Sequence, residues 1–141
     1  MVDLHHQIPI NASAAEVFAA ISTTDGNRGW WTADSKVDAK VGGKAEFGFD
    51  NRGMVFRMTV DRLTPNKDVV MSCHGDHPEW NGTTLTWKIE KDGDHTSLNF
   101  THSGWKSATE FCASCNTMWG NLLFRLKGFA EGQNPGPQWK E

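Results

Sequence analysis

The segment from Ser107 to Glu131 constrains the fold more than any other part of the chain. Phe111, Cys115, Met118, Leu122, Leu126 and Phe129 recur at helical spacing, and Cys112, Trp119 and Leu123 widen that stripe. Ser107-Ala108-Thr109-Glu110 reads as a capping box at the start of the helix. Gly132 and Pro135-Gly136-Pro137 stop it. At the usual rise per residue such a helix is about 36 Å long, comparable to the width of a small domain. A helix this long and this broadly apolar must be covered along its length, and the residues before it supply strands. The expectation is an α+β chain, with a curved antiparallel sheet of about seven strands around one long C-terminal helix.

From Lys44 onward the apolar period is two. Asp50-Asn51-Arg52-Gly53 reads as a hairpin turn that sets Phe49 opposite Met54, Phe47 opposite Phe56 and Ala45 opposite Met58. The other face then pairs Glu46 with Arg57, a solvated ion pair. Thr64-Pro65-Asn66-Lys67 turns the next pair, bringing Val60 to Met71 and Met58 to Cys73, with Cys73 inward and His74 outward. Lys91-Asp92-Gly93-Asp94 is the strongest hairpin signal. With Asp92-Gly93 as its loop, Ile89 faces Thr96, Trp87 faces Leu98, Leu85 faces Phe100 and Thr83 faces His102.

At the N-terminus, Val2 to Ile10 alternates as a strand. Ser13-Ala14-Ala15-Glu16 is a capping box for a short helix with Ala14, Val17, Phe18 and Ile21 on its core face. Thr23 to Lys40 reads as irregular around Gly26, Gly29 and the Trp30-Trp31 pair. Of these two indoles, one is expected beneath the first helix and the other at a pocket mouth. Residues 1–134 read as one domain and 135–141 as a tail.

The 141 residues can bury a core without disulfide or metal staples. The net charge of -3, with basic and acidic residues interspersed, argues against a nucleic-acid footprint. Three cysteines and a polar first segment, Met1 to Gln7, point to a reduced, cytoplasmic protein without a signal peptide. No apolar run reaches the roughly 20 residues of a membrane span. Seven Trp and eight Phe, with no Tyr, mean that rings either fill the core or line a cavity in it.

The order strand, helix, Trp-rich segment, successive hairpins and terminal helix resembles the SRPBCC or START-like (helix-grip) superfamily. The local motifs are similar to those of the activators of the heat-shock-protein-90 ATPase and their homologues, the AHSA-type family. They are Ile10-Asn11-Ala12-Ser13-Ala14-Ala15-Glu16-Val17-Phe18, Trp30-Trp31, Val41-Gly42-Gly43, Thr96-x-Leu98 with His102-Ser103-Gly104, and Trp119-Gly120-x-Leu122-Leu123. The resemblance implies that the first strand joins the last and that sheet and helix enclose a cavity. It also implies three functions in order of preference: binding or carriage of an apolar or amphipathic small molecule, a polyketide-cyclase or lyase chemistry, and stimulation of a chaperone ATPase. The additional N-terminal domain of the co-chaperone branch is not found in this sequence.

The expected ligand wall is Phe47, Phe56, Met58, Met71, Leu85, Trp87 and Phe100 on the sheet, facing Met118, Trp119 and Leu122 on the helix, with Trp30 and Trp31 beside them and Thr83 and His102 as its polar edge. Plain core packing of the same rings is the competing reading. His6 and His102 are the candidate acid and base of the lyase reading, because imidazole titrates near neutrality; two satisfied histidines at the pocket rim is the plainer account. Cys112-Ala113-Ser114-Cys115 lies within a helix and reads as packing. His74-Gly75-Asp76-His77 has too few ligands for zinc and reads as a polar loop. Gly42-Gly43-Lys44 fails as a phosphate loop, because Asp38 and Ala45 stand where Gly and Ser or Thr are required. No cofactor or metal is expected, and a homodimer is left open.

Overall fold

Backbone pairing follows the alternation of the sequence from end to end. The computed structural model describes residues 1–75 and 77–140. It contains strands β1 (Val2–Ile10), β2 (Asp34–Val37), β3 (Lys44–Phe49), β4 (Met54–Thr64), β5 (Asp68–Gly75), β6 (Thr84–Asp92) and β7 (His95–Trp105), and helices α1 (Ala14–Ser22), α2 (Thr24–Arg28) and α3 (Glu110–Ala130). The strands form one antiparallel sheet in the order β1-β7-β6-β5-β4-β3-β2, so the first strand does join the last. This is the α+β helix-grip arrangement. The 21 residues of α3 span about 32 Å. Its Trp119, Leu122, Leu123 and Leu126 are buried against Leu85, Trp87, Leu98 and Phe100 of the sheet's inner face.

The predicted partners of β3 with β4 and of β4 with β5 are all found, including Phe47 with Phe56 and Met58 with Cys73. Glu46 lies opposite Arg57 as expected. The β6–β7 hairpin differs by two residues: Ile89 pairs with Leu98, Trp87 with Phe100 and Leu85 with His102. Its loop is Gly93-Asp94, since Asp92 pairs with His95. Gly93 at φ 62° takes the first loop position, where a glycine with positive φ matches the strand twist without a second left-handed residue. A slip of two preserves the faces, so the inward set is unchanged.

The capping box of α1 forms as read. That of α3 does not: the cap is Thr109, whose Oγ1 accepts from the Cys112 amide at 3.1 Å and donates to the Glu79 carboxylate. Glu110 therefore sits in the first turn, beside the positive end of the helix dipole, instead of closing a box from the third position. The segment read as irregular holds α2 and β2. Gly29 lets the Phe129 ring approach so closely that a Cβ there would lie 2.1 Å from it. The residues set apart as a tail are packed: Trp139 donates its amide to the Trp31 carbonyl and accepts from Ala33. Glu141, the end of that tail, lies outside the described residues.

A buried hydrogen-bond chain ties α3 to the sheet. Trp119 Nε1 donates to His102 Nδ1 at 3.1 Å, and His102 Nε2 lies 2.9 Å from Thr83 Oγ1, which donates to the Trp80 carbonyl at 2.6 Å. An indole N–H can only donate, so Nδ1 must be bare and Nε2 carries the proton that goes to Thr83. His102 is 0% exposed, and burial pulls its pKa from 6.5 down to about 3. The unfolded chain thus takes up a proton near pH 6.5 that the folded chain refuses until about pH 3. Stability is complete above the first value and falls as the pH drops through this window. We expect His102 to remove about 2 kcal/mol between pH 7 and pH 5. Urea unfolding midpoints at the two pH values check this against His102→Gln, whose lower stability should be nearly independent of pH here. An equal slope in the variant would refute the assignment.

Candidate functional site

Where α3 approaches the β3–β4 hairpin, the packing is incomplete and leaves a cavity of about 280 Å³. Trp31 from the segment after α2 lines it, with Phe49, Met54 and Phe56 from the hairpin, Asp50 from its turn and Trp80 from the β5–β6 turn. The N-terminal half of α3 contributes Phe111, Ser114, Cys115, Met118, Trp119 and Leu122, and Trp139 closes the wall from the C-terminal segment. Phe111, Cys115, Met118 and Leu122 are the apolar stripe read from the sequence, placed along one side by the helical repeat. The rings brace one another: Phe56 stacks on Trp80 at 3.9 Å, Phe49 meets Trp139 edge-on at 4.9 Å, and Trp31 lies 5.3 Å from Trp119. Asp50 and Ser114 are exposed and stand at the rim.

The turn at that rim is conformationally unusual. Asp50, Asn51 and Arg52 have φ of 52°, 54° and 66°, a left-handed run without glycine. Arg52 holds it in place, with Nη1 2.8 Å from an Asp34 carboxylate oxygen and Nη2 2.7 Å from Glu46. The polar groups on the cavity wall are few. Burial pushes the Cys115 thiol up to about 11, partly offset by Trp80 as a hydrogen-bond donor, so the thiol is protonated and a poor nucleophile at neutral pH. By strict geometry the buried Trp80 Nε1 has no partner among the described residues.

Of the predicted ligand wall, Trp31, Phe56, Met118, Trp119 and Leu122 border the cavity. Phe47, Met58, Met71, Leu85, Trp87 and Phe100 face inward as expected and are buried in the core, but they do not line the cavity. Trp30 is the indole beneath the first helix, donating to the Ala20 carbonyl at 2.9 Å, and Trp31 is the one at the cavity. The two do not diverge fully, since their rings stack at 5.6 Å. Thr83 and His102 are internal, joined to each other and to Trp119 and Trp80 rather than forming a polar edge.

His6 pairs with Phe100 and Leu4 with His102, so the two histidines are diagonal neighbours on β1 and β7. Neither ring borders the cavity. His6 Nε2 lies 2.9 Å from Asn116 Oδ1, and His102 has both nitrogens engaged and its proton affinity suppressed. A shared acid and base over one ligand is not what this geometry supplies. Cys112 is buried and Cys115 half-buried, both as free thiols. In the 74–77 loop, His74 Nε2 meets Thr59 Oγ1 at 2.8 Å and His77 stacks on Phe111 at 4.1 Å, while Asp76 lies outside the described residues. Among the described residues no three potential metal ligands converge.

The sequence reading missed Phe49, Met54, Trp80, Phe111, Cys115 and Trp139 as cavity residues, together with Asp50 and Ser114 at the rim. Phe49 and Phe111 were already on inward faces, and only their distance from the centre of the sheet distinguishes them. Trp80 and Trp139 sit in non-repetitive segments where no periodicity applies.

Comparison with known proteins agrees with this architecture. The family described as Activator of Hsp90 ATPase homolog 1-like protein matches residues 11–131. No curated protein matches the chain. Among solved structures, the Aha1 dimer from Colwellia psychrerythraea is 37% identical, with a TM-score of 0.85 over 94% of this chain and 98% of that one. Protein MLL2253 from Mesorhizobium loti is 17% identical, with a TM-score of 0.77 over 89% and 94% of the two chains. CalU16 from Micromonospora echinospora is 18% identical, with a TM-score of 0.75 over 96% and 78%; these last two likenesses concern the fold. With its motifs, its sheet order and a family match over residues 11–131, the chain belongs to the AHSA-type family of the SRPBCC superfamily.

Proposed function

We propose that the protein binds an apolar or amphipathic small molecule in the cavity between the β3–β4 hairpin and α3. The observation that carries this reading is a cavity of about 280 Å³ walled by aromatic rings that brace one another and reachable past Asp50 and Ser114. Its size is close to the lower end of small-molecule sites. Met54, Met118 and Cys115 add polarizable, adaptable surface between the rigid rings. The chemistry on the wall favours holding a molecule over transforming it, because its one thiol is protonated and the buried histidine lies behind Trp119.

Titration with the neutral, apolar fluorophore N-phenyl-1-naphthylamine tests the reading. A saturable signal at one probe per chain is expected, and Met118→Trp, which fills the cavity, should weaken it by about tenfold or more, equivalent to about 1.4 kcal/mol. An unchanged titration in a variant with native circular dichroism would eliminate the cavity as the site.

A second reading concerns assembly. Phe124 on α3 is 70% exposed and lies beside a groove bordered by residues 6–9 of the edge strand β1. The Colwellia psychrerythraea structure is of a dimer, and we propose that this chain pairs with a second copy through the β1–α3 face. Sedimentation equilibrium should give twice the chain mass, reduced to the monomer by Phe124→Lys. A wild-type monomer at high concentration, or a dimer indifferent to the substitution, would contradict it.

A further inference from the structure

The charges around the cavity are one-sided. Asp50 is the one charged residue on its described wall, and no Lys, Arg or His borders it. The nearest cation in sequence, Arg52, turns its guanidinium away to Asp34 and Glu46. Asp50 itself makes no ion pair among the described residues, so its carboxylate stands at the rim uncompensated. On the helix side, Glu79 is held by Thr109, and its charge reaches Cys115 on the cavity wall, where it disfavours a thiolate.

The remaining wall consists mainly of π-systems. The indoles of Trp31, Trp80 and Trp119 and the ring of Phe56 bear negative charge on their faces, and those left uncovered by the stacks of Phe56 on Trp80 and of Trp31 on Phe47 attract a cation that comes within about 6 Å. Two features lie against this field, the His77 imidazole stacked on Phe111 of the wall and the positive N-terminal end of the α3 dipole. Glu110 in the first turn and Glu79 at the cap already answer the dipole. A carboxylate or phosphate entering past Asp50 would meet repulsion without finding a Lys or Arg among the described residues of the wall, whereas an ammonium would find rings and a carboxylate.

We propose that the occupant of this cavity is an amphipathic organic cation, a substituted or quaternary ammonium seated among the indoles with its charge toward Asp50. The inference rests on the small-molecule reading above and specifies its ligand class. It predicts the polarity of the ligand: fatty acids and other anionic amphiphiles are discriminated against.

The test uses two probes of nearly identical shape, phenyltrimethylammonium and tert-butylbenzene, titrated into the full chain while the indole N–H resonances are followed by NMR. The cation should bind at least as tightly as its neutral isostere despite the dehydration it must undergo. Asp50→Asn should weaken the cation by roughly fivefold and leave the isostere unchanged. Asparagine tolerates the positive φ at this position at least as well as aspartate, so the turn is retained. A neutral probe favoured more than tenfold, or equal effects of Asp50→Asn on both probes, would overturn the cation assignment while leaving the cavity as a binding site. Failure of both probes to shift the indole resonances would overturn the cation assignment and the small-molecule reading together.

Discussion

An indole N–H enclosed in an aromatic core needs an acceptor there, and in this protein much follows from how Trp119 finds one. Its acceptor is His102, which must then be neutral, with its proton directed to Thr83, and Thr83 in turn closes on the Trp80 carbonyl. Each bond in this chain lies away from water, where losing one partner would leave the next unsatisfied. The chain therefore fixes the depth and rotation of α3 against β6 and β7, and holds the β5–β6 turn to the same point. Trp80 and Trp119, two walls of the cavity, are positioned by a hydrogen-bond chain behind them.

The same arrangement explains why one end of the interior is solid and the other is not. Toward the middle of the sheet, Trp87, Phe100 and Leu85 lie directly opposite the helix and interlock with it. Toward β3 and β4, the hairpin and α3 border the cavity instead of interlocking. Rings around it brace one another edge to face and do not collapse into it. The left-handed turn at residues 50–52 carries Asp50 at the rim, and Arg52 fixes that turn through Asp34 and Glu46.

Most of this fold was readable from the chain because alternation and turn chemistry are local. The partners of Phe47 and Met58 follow from counting outward from a turn, and so does the inward face of Leu85 and Trp87. The error at the β6–β7 hairpin arose because Asp92-Gly93 and Gly93-Asp94 are both good turn pairs, and the faces on either side are the same for each. The cap of α3 was misplaced because Ser107 and Thr109 both suit that role, and the choice depends on Glu79, distant in sequence. The cavity was located only in part. Periodicity tells which residues face inward but not where the facing layers separate, so Met58, Met71 and Phe100 looked equivalent to Phe56. His102 looked like a polar edge because its face is readable and its depth is not.

Energetics bear on why such a space persists at all. An enclosed void loses about 24 cal/mol for each Å³. On that scale a sealed, empty cavity of 280 Å³ would cost about 7 kcal/mol, comparable to the whole stability of many domains. The opening past Asp50 and Ser114 reduces the cost by admitting water, yet water gains little from walls made of rings. Cys115 and Ser114 are small residues on this wall, and any molecule that bound there and not to the unfolded chain would return part of the cost as stability.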